Sequence, residues 1–480
     1  MNNYYENPSV IARMTEFLGG LSLKEATCVY LSRCDTAALG IVTRPPTDLH
    51  SFLNAGLDVG RSLWDRSSLI ADLDIEYVNF DFPAEPYLDP ERCFEIQRPV
   101  ERAVERALLE HGITALHLIS GRGHHFVWRM IRGSSCFERL VQIGRIPISL
   151  QRGYAEPQLS VGECVEPDLG AAFSGLGMVM EYVAHRIKEA AASECKVPVQ
   201  LTEILAGPVE RGREIVSIDL SEYGDPLQTR MIRVPFSLYL KPTEQRDLMG
   251  REALARIPQM FLIPLHKMDA RQGSLIMRNP SDVAKLASQA SVQIPDQSIS
   301  MERLVTEYMG SPLARFHDWF YSQEYDPPKQ WSQAYASSIL EELPPCARII
   351  LEQPNDLLLK PYGIEQIVRT MLALGWHPRH IAGLIRSKYE RDYGWGEQWL
   401  HYDPGSRADF FVRLFSGFFV AGRDELVDLN CQSNKEKQFC FDLACSCNLA
   451  EFRESLLARR RHERLACGPF NRLFLPHEHP

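Results

Sequence analysis

The sequence predicts an α+β domain followed by an all-α domain, on three observations. Residues 68–82 alternate apolar and polar side chains, the period of a half-buried strand. A helical period, two short strands, another helix and another strand follow in that order. Beyond about residue 331 only the helical period remains. At 480 residues, 45% hydrophobic and 24% charged, the chain is long enough for two or three buried cores.

Residues 1–65 read as a mainly helical N-terminal segment with turns at Gly19–Gly20 and Pro45–Pro46. After the strand, Asp89-Pro90-Glu91 has the cap, first-position proline and first-turn acid of a helix start. Val100, Ala103, Val104, Ala107 and Leu108 continue that helix, and Gly112 ends it. Ala115–Ile119 and Phe126–Ile131 read as strands flanking a glycine-rich turn. A helix over 171–192, a strand over 214–220 and a basic strand or loop over 230–241 complete a domain expected over 66–270. Residues 271–330 are a polar connector with short helices. In 331–480, Ile364, Ile367, Val368, Met371 and Leu372 form one apolar helical stripe, and Ile381, Leu384 and Ile385 another.

The net charge of −10 argues against a surface coated for duplex binding. It leaves room for a local basic track: Arg122, Arg129, Arg132, Arg139, Arg145 and Arg152 face a single acid, Glu138. Residues 1–20 lack a basic start followed by an apolar core, and no apolar run approaches the ~20 residues of a membrane span. A cytoplasmic protein with no membrane partner is expected.

The strand carries Asp72, Asp74 and Glu76 at alternate positions, hence on one face. Three carboxylates on a rigid element suit a divalent cation, whereas the alternative is an exposed polar face on an edge strand. Ser120-Gly121-Arg122-Gly123-His124-His125 lets backbone N–H groups approach an anion, as would a phosphate-binding turn; a plain hairpin turn fits it equally. Ile215–Asp219 is an apolar strand ending in an acid, and Arg233, Ser237, Tyr239 and Lys241 alternate through the basic segment. Guanidinium and ammonium groups beside a metal suit triphosphate oxygens.

In order and spacing, Leu73-Asp74-Ile75-Glu76, Ser120–His125, Ile218-Asp219 and Arg233–Lys241 resemble the archaeo-eukaryotic primase (primase-polymerase) superfamily over residues 68–242. The resemblance implies a primase-type α+β fold, a small mixed or antiparallel sheet packed by helices. It implies that Asp74, Glu76 and Asp219 hold catalytic Mg²⁺ or Mn²⁺, and that Ser120, His125, Arg233 and Lys241 contact the nucleotide. His125, not His124, falls on the family histidine. A register on Asp72 and Asp74 restores the Asp-x-Asp that many relatives carry. Tyr239, where a histidine is common, either stacks on a base or sugar or only packs.

Of twelve cysteines, Cys28, Cys34, Cys93, Cys136, Cys164 and Cys195 are scattered and read as small core residues. Cys431, Cys440, Cys445 and Cys447 crowd together, with Pro344-Pro345-Cys346 far upstream. Thiolates so gathered hold zinc or an iron–sulfur cluster, but the wide first gap fits a zinc ribbon poorly. This pattern, over about 331–467, resembles the C-terminal domain of the primase large subunit. That likeness implies an all-α iron–sulfur domain with a 4Fe–4S cluster on Cys346, Cys431, Cys440 and Cys445, with Cys447 or Cys467 in place of Cys445 as alternatives. Trp376, Trp395, Trp399, Tyr389, Tyr393 and Tyr402 interleave with Arg379, Arg386, Lys388 and Arg391, as on a single-strand-binding surface or on a helical core with an amphipathic rim.

The expected function is a DNA primase-polymerase. Its partners would be a single-stranded DNA template, nucleoside triphosphates, and a helicase or other replication or mobile-element protein. The alternatives are a gap-filling repair polymerase that does not initiate, and a non-catalytic nucleic-acid-binding protein on the same fold.

Overall fold

The computed structural model describes residues 2–33, 43–158, 161–202, 213–335, 343–352, 361–389, 403–437, 439–440, 445 and 447–466. The chain forms two compact units, 1–201 with 214–306, and 202–213 with 307–480. Among the described residues no helix is long and apolar enough to cross a membrane.

The first unit is α+β. Its main sheet contains β3 (Ser68–Asn79), β4 (Leu116–Ile119), β5 (Gly123–Ile131), β6 (Val199–Leu201), β7 (Glu214–Asp219) and β9 (Ile263–Pro264), in the order β6-β7-β3-β5-β4-β9. All neighbours are antiparallel except β6 and β7. A smaller antiparallel sheet joins β1 (Leu31–Ser32), β2 (Gly60–Ser62) and β8 (Met231–Arg233), so the N-terminal segment expected to be mainly helical also supplies two strands.

The long acidic strand is central, not an edge. β3 lies between β5 and β7, and Ala71, Leu73, Ile75 and Tyr77 are fully buried. Two helices pack against it, α1 (Pro90–Glu110) and α3 (Pro167–Ala191). α1 starts where the sequence says: the Asp89 side chain accepts the Arg92 N–H at 3.1 Å and Pro90 opens the first turn. Its buried stripe includes Phe94, Val100, Ala103, Val104 and Leu108. α3 packs on α2 (Ser135–Ile143), where a Cβ on Gly175 would lie 2.2 Å from the Leu140 carbonyl oxygen. Only glycine lets these backbones meet so closely.

The second unit is helical throughout its described residues, with α4 (Pro312–Phe320), α5 (Pro361–Ala373), α6 (Pro378–Tyr389) and α7 (Pro404–Val420) packed on one another. The stripes Ile364–Leu372 and Ile381–Ile385 are buried in it, as the periodicity requires. Its core also buries charge. Both sides of the Arg369 guanidinium are taken: Nε and Nη2 donate to Asp424 at 2.7 Å, Nη1 to Asp428 at 2.7 Å, and Glu365 lies 2.8 Å from Nη2. Lys437 pairs with the other oxygen of Asp428. This network ties α5 to the segment that carries Cys431 and Cys440.

Replacing Arg369 by Met leaves three buried acids facing one lysine. It is expected to cost roughly 3–5 kcal/mol, read as a lower urea midpoint for the second unit's transition. An unchanged midpoint would show that the acids simply take up protons.

Candidate functional site

Strand pairing assembles the site. The register sets Asp74 opposite Asp219 on β7 and opposite His125 on β5. His125 Nδ1 is 3.3 Å from Asp72 and 3.8 Å from Asp74. The turn after β7 adds Glu222, and the Tyr223 hydroxyl donates to the Asp72 carbonyl at 2.7 Å. One oxygen each of Asp72, Asp74 and Glu222 is buried without a hydrogen-bond partner. Asp219 accepts the Ser221 N–H at 2.8 Å.

Such crowding has an electrostatic signature. Burial, then the charges of Glu76, Asp72 and Asp219, push the Asp74 carboxyl up to about 8 despite His125. Burial and the Asp72, Asp219 and Asp74 carboxylates hold Glu222 well above the usual carboxylate range. Burial works against a charged His125, but Asp74 and Asp72 overcome it and raise its pKa to about 9.

Glu76 lives in a different environment two residues on. Lys241 Nζ donates to both its oxygens at 2.7 and 3.0 Å, and Arg122 donates to one. Burial opposes its charge, yet these two cations hold its carboxyl well below the usual range. Asp74, Asp219 and His125 therefore come together, with Lys241 beside them on Glu76. On β3 the oxygens left unsatisfied belong to Asp72 and Asp74, the alternative register, and not to Glu76.

Ser120 stands at the turn between β4 and β5, its N–H on the Gly123 carbonyl at 2.9 Å and its buried Oγ unpartnered. Gly123 is required there, since a Cβ would sit 2.1 Å from the Ile75 carbonyl oxygen of β3. Gly121 lies under Tyr239, whose ring packs below the Arg233 guanidinium at 4.7 Å. Arg233 itself is bound to Asp58 at 2.8 Å, a partner that no sequence pattern marked.

The expected alternation of Arg233, Ser237, Tyr239 and Lys241 along one strand is not observed. β8 ends at Arg233; Pro235 has no N–H for a ladder, and Phe236 turns the chain at φ 67°. The Ser237 hydroxyl donates to the Val234 carbonyl at 2.6 Å, and Lys241 begins a short helix. The charged ends still converge because the turn folds back on Tyr239. Of the residues that sequence reasoning missed, Glu222 had a faint signal, an acid three positions after Asp219. Arg122 was read as part of the turn and of the basic track, not as the counter-charge of Glu76.

In the second unit, Cys346, Cys431, Cys440, Cys445 and Cys447 line one cavity of about 130 Å³. None of them is in a disulfide, and burial with the neighbouring sulfurs pushes Cys346 up to about 12. Cys467 lies outside the described residues, as do Tyr393, Trp395, Trp399, Arg391 and Tyr402. Arg379 belongs to the core: it bonds Asp409 at 2.8 Å and lies 4.5 Å from the Tyr325 ring centre and 5.0 Å from that of Tyr321. Arg386 is bonded to Tyr325 and Lys388 is buried. Packing Arg379 and Arg386 against rings gives them partners within the helical packing, which fits the helical-core alternative for these residues.

No family model and no curated protein matches this chain. Among solved structures it is similar to the polymerase domain of Mycobacterium tuberculosis ligase D in complex with DNA, at 13% identity over 64% of this chain and 91% of that one. The TM-score is 0.32, and a superposition at that level carries no argument about fold or activity.

Glu76→Gln leaves Arg122 and Lys241 without their counter-charge and is expected to destabilise the protein by roughly 3 kcal/mol at neutral pH. Because the folded-state pKa of Glu76 is depressed, the wild-type advantage is full above about pH 4.3 and disappears as pH falls through the lower folded value. Chemical denaturation of both proteins across that range checks it; a gap independent of pH would contradict the assignment.

Proposed function

We propose that the chain is a metal-dependent, template-directed nucleotidyltransferase of the primase-polymerase kind, acting on single-stranded DNA. The observation that carries this is the meeting of Asp72, Asp74 and Asp219 on paired central strands, with unsatisfied buried oxygens on Asp72 and Asp74 and His125 3.3 Å from Asp72. Carboxylates so crowded are costly without a cation, and an all-oxygen donor set suits Mg²⁺ or Mn²⁺. Asp72, Asp74 and Asp219 would hold the metal, and Glu76 serves as the anchor of Lys241 and Arg122. When bound, the divalent ions would supply a more acidic attacking hydroxyl and charge neutralisation at the leaving group.

The reaction is attack of a 3′-hydroxyl on the α-phosphorus of a nucleoside triphosphate. The new bond is P–O3′, the broken bonds are the hydroxyl O–H, whose proton passes to solvent, and that between the α-phosphorus and the bridging oxygen, and pyrophosphate leaves. His125, held cationic, would donate a hydrogen bond to a phosphate oxygen. Lys241 and Arg122 are kept next to Asp74 by Glu76, ready to share their donors with a triphosphate. Ser120 and the tight Gly121–Gly123 turn offer a close approach for the same group, and Arg233 positions Tyr239 over that turn.

In the helical unit, Cys346, Cys431, Cys440 and Cys445 or Cys447 would hold a 4Fe–4S cluster. The five described thiols line one cavity of about 130 Å³, and the wide gap from Cys346 to Cys431 fits a zinc ribbon poorly. A cluster occupies a wider ligand cage, and its presence favours initiation over extension alone.

Anaerobically purified protein should make primers on single-stranded DNA with Mn²⁺ or Mg²⁺. Asp74→Ala should lower synthesis by roughly 10²-fold or more, the scale seen when a preorganised electrostatic group is removed, while DNA binding persists. Cys346→Ser should lose iron and initiation yet still extend a supplied primer. Absence of any product from folded, brown protein would favour a nucleic-acid-binding protein instead.

A further inference from the structure

The β4–β5 hairpin presents two faces, and the reaction described above uses one. Its register pairs Leu118 with His125 and Ile119 with His124, so His124 points away from the aspartates. His117 shares that second face, and its Nε2 lies 2.9 Å from His124 Nδ1. Glu101 reaches them from α1: one ligand atom from each of Glu101, His117 and His124 lies within 4.8 Å of the other two. His124 is fully buried, and its Nε2 has no hydrogen-bond partner. Glu101 and His117 line a cavity of about 590 Å³ that Glu105 and Asp269 also border.

We propose that Glu101, His117 and His124 form a transition-metal site of the zinc class, separate from the aspartate centre. Two imidazoles and one carboxylate select zinc or a late first-row ion over Mg²⁺, which prefers an all-oxygen shell. The two facing nitrogens already have the right spacing. Ligands about 2.05 Å from zinc at 90–110° are separated by about 2.9–3.4 Å. A metal would thus replace the hydrogen bond between the rings, the donor ring carrying its N–H proton on its other nitrogen instead, with Glu101 moving in by a side-chain rotation. Burial and the neighbouring histidines push His117 down to about 3 and His124 well below its ordinary value, so both rings are neutral as ligation requires. The cavity leaves the fourth position to water or a small ligand, the arrangement of an open rather than a closed zinc site. Bound metal would join α1 to the hairpin whose other face carries His125.

The test is zinc-edge anomalous diffraction on crystals of the full chain grown with Zn²⁺, paired with zinc affinity by competition against a chromophoric chelator. A peak between His117 and His124 is expected, retained in Asp74→Ala, so that its fate is independent of the nucleotidyltransferase proposal. Glu101→Gln and His117→Gln should each weaken that one site by at least tenfold. Should His117→Gln misfold by circular dichroism, Glu101→Gln on the half-buried helix face decides. Zinc found only on the thiols or the aspartates, or affinity unchanged in a folded Glu101→Gln, would overturn the proposal and leave a neutral histidine pair.

Discussion

Crowding negative charge onto the most buried strand of a sheet is the constraint around which the first unit is arranged. β3 has neighbours on both sides and helices against it, so its carboxylates cannot relax into solvent. The protein meets the cost in two ways. Glu76 is neutralised internally by Arg122 and Lys241. Asp72, Asp74 and Asp219 are left short of counter-charge, with His125 beside them and the raised Asp74 carboxyl as partial relief. Self-neutralised groups are structural by this logic, and under-neutralised groups are the ones prepared for a ligand.

The same contrast recurs in the helical unit. Arg369 gathers Glu365, Asp424 and Asp428, and burial with the acidic neighbours holds Glu365 well above the usual carboxylate range. That network sets three acids against Arg369 and Lys437 and joins the chain on either side of Cys431. The thiols a few residues away line a cavity and are not bonded to one another as disulfides. A rigid ionic frame beside an open ligand set is how a site is held at a fixed geometry.

Much of the first unit was legible because its signals are local. Asp89-Pro90 capped a helix, Gly112 ended it at φ 71°, and alternation located β3, β4, β5 and β7 to within a few residues. The coincidence of Asp74, His125 and Asp219 followed from motif order, since consecutive elements tend to be adjacent in space. The basic segment was open between strand and loop because alternation over 233–241 is not specific; the strand ends at Arg233, and Pro235 and the positive φ of Phe236 break it. The interleaved aromatic and basic residues of α6 were ambiguous for a related reason: Arg379 over Tyr325 has the same composition whether its partner is a base or the protein's own core.

By itself the sequence determined which elements form, because caps, breakers and periods act within a few residues. It also determined which chemistry is available, carboxylates, imidazoles and thiols at particular positions. Tertiary structure alone decided how those groups are spent. Strand register made Asp72 the unsatisfied neighbour of Asp74 and gave Glu76 two cations from 46 and 165 residues away. The strand's pleat puts the adjacent His124 and His125 on opposite faces, and the pairing with β4 and β3 gave the first His117 and the second the aspartates as partner. Charge compensation is a through-space quantity, falling with distance and rising with burial, and neither is written in the order of the residues.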